Sequence, residues 1–123
     1  MSTLPLISIV DDDGSVREAT ADLMEAHGYA AAAFASAEEF LQSEQVRTTS
    51  CVVTDVRMAG LSGVELQRRL TNVEPRIPVI FLTAFPEEHL RAAALKGGAR
   101  GFFTKPVNES SLLLCIERAL GRS

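Results

Sequence analysis

Five short apolar runs alternate with five segments of helical periodicity, and this alternation restricts the fold more than any other property of the chain. The runs are Leu6–Val10, Ala30–Phe34, Cys51–Thr54, Val79–Leu82 and Gly101–Phe103. Runs this short suit buried strands. Between them the pattern predicts helices at about Ser15–Ala26, Ala37–Ser43, Gly63–Asn72, Glu87–Lys96 and Glu109–Leu120. Strands that alternate with helices predict an α/β fold, a parallel sheet covered on both faces. At 123 residues the chain fits one domain with a real core.

Local signals support the helices. Ser36-Ala-Glu-Glu39 and Ser62-Gly-Val-Glu65 read as capping boxes. Pro86 suits a first helical position, where its missing N–H is not needed. Asn108 is the expected N-cap of the last helix. That helix places Leu112, Cys115, Ile116, Ala119 and Leu120 on one face, and the first does the same with Val16, Ala19, Leu23 and His27. His27-Gly28 and Lys96-Gly97-Gly98 read as C-terminal stops. His27 and His89 lack a partner pattern and are expected in ordinary surface or helix-end positions.

The balance of charge narrows the function. The net charge is -4 and the basic residues are scattered, so no nucleic-acid surface is expected. No apolar stretch is long enough to span a membrane, and Met1-Ser2-Thr3-Leu4-Pro5 reads as a short polar lead-in rather than a secretory signal. A cytoplasmic location is expected. Cys51 and Cys115 lack metal-site spacing and are expected to be buried free thiols. There is no internal repeat, low-complexity tract or linker.

Ligands of open α/β sheets bind outside the carboxyl ends of the strands. Asp11, Asp12 and Asp13 follow the first run, Asp55 the third, Thr83 the fourth, and Lys105-Pro106 follows Thr104 after the fifth. At about 5 Å and an effective dielectric near 20, one pair of carboxylates costs roughly 3 kcal/mol. Such a cluster calls for a cation, a raised pKa or full solvation, and Mg2+ (or Mn2+) suits oxygen ligands. Each residue has a plainer role open to it: a helix cap, a turn or a surface charge. Together they suit phosphoryl transfer onto a carboxylate. Asp55 would be the nucleophile, Asp11 and Asp12 would hold the cation, and Thr83 and Lys105 would meet phosphoryl oxygens. A cis Lys105–Pro106 bond would aim the lysine into the site. There is no P-loop, dinucleotide fingerprint, Gly-x-Ser-x-Gly elbow or His-Glu-x-x-His.

With these residues in place, the chain resembles a two-component response-regulator receiver domain of the CheY-like superfamily. The resemblance rests on Val10-Asp11-Asp12-Asp13, Thr54-Asp55-Val-Arg-Met58, Leu61-Ser-Gly63, Leu82-Thr83-Ala84 and Phe102-Phe-Thr-Lys105-Pro106, and it covers nearly all of residues 1–123. Ser36-Ala-Glu-Glu-Phe-Leu41 and Thr54-Asp-Val-Arg-Met58 are similar to the FixJ-like subgroup. The resemblance implies a flavodoxin-like (βα)5 sheet of order 2-1-3-4-5. It implies phosphorylation of Asp55 by a phosphohistidine of a sensor histidine kinase. Asp12 and Asp55 would ligate Mg2+ directly, with the Arg57 carbonyl, and Asp11 through water. Thr83 matches the switch threonine, Lys105 the phosphate-binding lysine and Phe102 the switch aromatic.

There are departures. Ala59 stands where the family usually has proline, and Val107 where it often has phenylalanine. Arg57 and Phe85 occupy the two variable flanking positions. Arg57 is expected to fold over the acidic cluster and compete with metal, or else to be solvated, and Phe85 to shield the acyl phosphate from water. The implied output is a phosphorylation-controlled switch, not a turnover enzyme, although it would assist its own phosphorylation and dephosphorylation. Its surface would be the fourth helix, fifth strand and fifth helix, about Glu87–Leu120. Homodimerisation there would have Arg91, Lys96, Arg100, Glu117 and Arg118 at the rim. Two other readings are an aspartate-nucleophile phosphatase of the haloacid-dehalogenase type, with Asp11 and Asp13 in its Asp-x-Asp spacing, and a degenerate receiver that only binds partners. The chain reaches Gly121-Arg-Ser123 just after the last helix, as expected of a stand-alone receiver or of one separated from an output domain. FixJ-like relatives typically carry a helix-turn-helix DNA-binding domain there.

Overall fold

The computed structural model describes residues 4–121; Met1, Ser2 and Thr3 of the expected lead-in, and Arg122 and Ser123, lie outside this range. The apolar runs become strands β1 (Leu6–Val10), β2 (Ala30–Phe34), β3 (Cys51–Thr54), β4 (Val79–Thr83) and β5 (Gly101–Thr104). The helices are α1 (Gly14–Ala26), α2 (Ala37–Leu41), α3 (Gly63–Val73), α4 (Glu88–Lys96) and α5 (Glu109–Ala119). All strand pairs are parallel, in the order β2-β1-β3-β4-β5. The expected flavodoxin-like topology is therefore borne out. Val10 pairs with Thr54, Thr54 with Phe81, and Thr83 with Thr104. This register brings the carboxyl ends of β1, β3, β4 and β5 to one edge.

Successive strand residues point to opposite faces, so each strand feeds two cores. Val10, Val52 and Phe81 pack with Phe40, Leu66 and Leu70 from α2 and α3. Ile9, Val53, Ile80 and Leu82 pack with Met24 from α1 and with Leu112 and Ile116 from α5. Burying a side chain such as Phe40 or Phe81 completely contributes about 1.5–3 kcal/mol.

The caps are as expected at three helices. Ser36 accepts from the Glu39 N–H, Ser62 from the Glu65 N–H, and Asn108 from the Ser111 N–H. Gly28 and Gly98 take φ of 88° and 100° past the ends of α1 and α4. Four expectations need correction. On α1 the buried residues are Thr20 and Met24, while Ala19 and His27 are exposed. The Thr20 hydroxyl donates to the Val16 carbonyl at 2.7 Å, which satisfies it and lets a polar residue face the core. Pro86 lies outside α4: Glu87 is extended, at φ −121° and ψ 133°, and its carbonyl accepts the first helical bonds, from Leu90 and Arg91. Helix α2 ends at Leu41, and a 3-10 turn follows at Glu44–Arg47. Cys51 is buried, but Cys115 only partly, and both are free. Burial pushes the Cys51 thiol up to about 12 and raises that of Cys115 as well, so neither is a ready nucleophile.

Candidate functional site

The acidic triplet divides. Asp13 is the N-cap of α1, and its Oδ1 accepts from the N–H groups of Ser15 and Val16 at 3.0 and 3.3 Å. This is the plainer role, at one of the three residues. Asp11 is buried and Asp12 exposed, and both join Asp55 in a cluster. One carboxylate oxygen from each of the three lies within 4.8 Å of the others. The set is all oxygen, with one exposed member, and fits a hard cation that retains water.

Asp55 directly follows β3, with its carboxylate held on both sides. Its Oδ1 accepts from the N–H of Val56 at 2.6 Å and of Arg57 at 3.4 Å. Its Oδ2 accepts from Lys105 Nζ at 3.1 Å, and the same ammonium donates to Asp11 Oδ2 at 2.9 Å. One lysine thus bridges two carboxylates that would otherwise repel. The Lys105–Pro106 bond is cis. Desolvation by burial raises the Asp11 carboxyl above its ordinary value, against the opposing pull of Lys105 and of the Asp13 N–H. Burial alone would lower the Lys105 pKa, but its hydrogen bonds to Asp11 and Asp55 outweigh that and raise it. The ammonium therefore stays charged at neutral pH.

Thr83 is buried at the end of β4, and its hydroxyl oxygen accepts from the Phe85 N–H at 3.3 Å. An open cavity of about 330 Å³ lies over the site, lined by Asp12, Asp55, Arg57, Thr83, Phe85 and Lys105 among others. Two expectations at its rim meet a different arrangement. The Arg57 guanidinium pairs with Glu87, not with the acidic cluster, because Glu87 at the α4 N-cap leaves its carboxylate free of a capping bond. Phe85 stands at the rim of the cavity, 77% exposed. Phe102 is partly buried on β5, its ring 5.9 Å from that of Phe81.

Three contacts escaped the sequence reading. Arg17 donates to the Asp11 carbonyl at 2.7 Å, and its position one turn beyond the Asp13 cap was the available signal. Glu38 accepts from the Leu61 N–H at 3.1 Å. Gly63 lies against the Asp55 backbone: a Cβ there would stand 2.0 Å from the Asp55 carbonyl oxygen.

Residues 7–117 match the response regulator receiver domain family. The chain belongs to that family. It is 39% identical over 121 residues to nodulation protein W of Bradyrhizobium diazoefficiens, a match covering 98% of this chain and 53% of that protein. The crystal structure of FixJ-N superposes with a TM-score of 0.85 at 34% identity, over 100% of this chain and 98% of the other. A response regulator receiver domain protein from Clostridium thermocellum gives a TM-score of 0.90 at 29% identity, over 97% and 96%. The expected likeness to FixJ is thus borne out. This receiver domain spans about half the length of the full-length relative. Among the described residues, no helix is long and apolar enough to cross a membrane. The phosphatase alternative falls with the family match, and its second aspartate, Asp13, is engaged as a helix cap.

Proposed function

We propose that this receiver domain takes a phosphoryl group onto Asp55 from the phosphohistidine of a sensor histidine kinase, in the cytoplasm and with Mg2+ (or Mn2+) present. The observation that carries the reading is the single ammonium of Lys105 shared by Asp11 and Asp55, beside three carboxylate oxygens within 4.8 Å of one another. An Asp55 oxygen attacks phosphorus, the P–N bond breaks, and its electron pair returns to the imidazole nitrogen. Asp12, Asp55 and the Arg57 carbonyl would hold the metal, with Asp11 acting through water. Bound there, the ion would neutralise charge on the nucleophile and the incoming group.

In the product, Lys105 would exchange its Asp55 carboxylate for a phosphoryl oxygen, and the Thr83 hydroxyl would donate to another. Movement of Thr83 would leave room for Phe102 to turn, which biases the surface of α4, β5 and α5. The same site would assist loss of the phosphoryl group by water, without being a turnover enzyme. Incubation with Mg2+ and acetyl phosphate tests the reading. One added phosphoryl group by intact mass supports it, and multiple turnover of a small phosphate ester would overturn it.

The proposed output is a homodimer through that surface, or control of a transcriptional output domain; this domain itself would not contact nucleic acid. A beryllofluoride-treated sample should elute earlier on gel filtration than the untreated protein. An unchanged elution at high concentration would count against dimerisation. At the rim, Arg57→Ala should leave Mg2+ affinity within about fivefold, because an exposed pair contributes up to about 1 kcal/mol. A tenfold gain would instead restore metal competition by Arg57. Phe85→Ala should shorten the half-life of the acyl phosphate if the ring folds over the product, and an unchanged half-life would remove the shielding role.

A further inference from the structure

We propose that Glu38 is a positioning residue for phosphoryl acceptance, its carboxylate clamping the loop that carries the backbone of the acceptor site. The inference rests on the function proposed above. The loop runs from Val56 to Ser62, between β3 and α3, and contains the Arg57 carbonyl expected on the metal. It has little packing to hold it. Val56 is buried in the core, but beyond it Arg57, Ala59 and Gly60 are exposed and only Met58 and Leu61 lean on the core. Ala59 adds no proline stiffness.

Among the described residues, one hydrogen bond ties the backbone of this loop to a distant part of the fold. The Leu61 N–H donates to Glu38 Oε2 at 3.1 Å, across 23 residues of sequence. Three further observations indicate a built contact. Helix α2 is a firm base, because Ala37 and Phe40 are fully buried and the Phe40 ring meets Phe34 edge-on at 5.2 Å. The other oxygen, Glu38 Oε1, is buried without a partner, so the carboxylate has given up solvent to reach the loop. Gly60 takes φ of 81°, and a Cβ there would lie 2.3 Å from Glu38 Oε2, so the loop closes on the carboxylate only because position 60 is glycine. A charged acceptor makes a stronger bond to an amide than a neutral one does. The clamp thus supplies the fixed geometry that an ion site and an in-line transfer both need.

The test compares Glu38→Ala and Glu38→Gln with the wild type. Alanine favours helices, so the variant is expected to fold, and a urea midpoint checks it. Three quantities are read: amide exchange at Leu61, Mg2+ affinity by calorimetry, and the rate of phosphorylation from acetyl phosphate. In Glu38→Ala, Leu61 exchange should rise, and Mg2+ affinity and rate should each fall roughly tenfold. Glu38→Gln retains an acceptor oxygen and should recover most of both. A folded Glu38→Ala protein with wild-type Mg2+ affinity and rate would overturn the proposal, as would a loss confined to the urea midpoint. Wild-type protein that takes up no phosphoryl group would instead refute the proposed function. The clamp would then stand or fall on Mg2+ affinity and Leu61 exchange, which need no phosphorylation.

Discussion

Asp55→Asn is expected to take up no phosphoryl group from acetyl phosphate under conditions where the wild type gains one. The substitution changes little in shape. An asparagine oxygen can still accept from the Val56 N–H, which bonds Asp55 Oδ1 at 2.6 Å, and Lys105 keeps its bond to Asp11 at 2.9 Å. The chemistry changes completely, because a neutral amide oxygen is a poor nucleophile and a poor ligand for a hard cation. One carboxylate also leaves a crowded site, which relieves its repulsion with Asp11. The folded state should therefore survive while the mass addition is lost. Intact mass and a urea midpoint on the same samples separate the two effects. An adduct that persists in Asp55→Asn would move the nucleophile to Asp11 or Asp12, and would remove Asp55 from the mechanism proposed here.

Asp55, Thr83 and Lys105 could be placed from sequence because each lies at or just past the end of a strand, and in a parallel sheet all strand ends of one sense meet at one edge. Topology alone gathered them. What escaped depends on side chains that meet across long sequence distances. Nothing in the residues around Lys105 indicates that its ammonium bridges Asp11 and Asp55, 94 and 50 positions away. The Arg57–Glu87 pair and the Glu38–Leu61 bond leave no periodicity either. The face of α1 was misread for a different reason. A hydropathy pattern passes over Thr20, although its hydroxyl is satisfied within the helix and its methyl can face the core. The three adjacent aspartates look equivalent in sequence, and only the start of α1 at Gly14 assigns Asp13 to the cap. Local chemistry was readable, then, where it coincided with a strand end, and hidden where it depended on the approach of two distant elements.

Gly63→Ala is expected to be the most damaging small substitution near the site. Gly63 is buried at the first turn of α3, and its N–H donates to the Val56 carbonyl at 2.8 Å. Its φ is not positive, so the need for glycine comes from space and not from backbone conformation. The added methyl would stand 2.0 Å from the Asp55 carbonyl oxygen and 3.1 Å from Phe81 Cε1. Neither neighbour can yield cheaply: one is backbone at the end of a central strand, and the other is a fully buried ring. Overpacking of this kind costs about 3 kcal/mol or more. With a urea slope of about 2 kcal/mol/M, the midpoint should fall by about 1.5 M. Gly98→Ala is the control. Its φ of 100° strains alanine, but nothing lies within 4 Å of its Cβ, so its cost should be nearer 1 kcal/mol. Relief of the clash in Gly63→Ala requires the Asp55 backbone to retreat, so the folded fraction should also phosphorylate more slowly than the wild type. Equal midpoints for Gly63→Ala and the wild type would mean that α3 can slide away from β3. The fixed approach of helix to acceptor would then be lost as an explanation for glycine at this position.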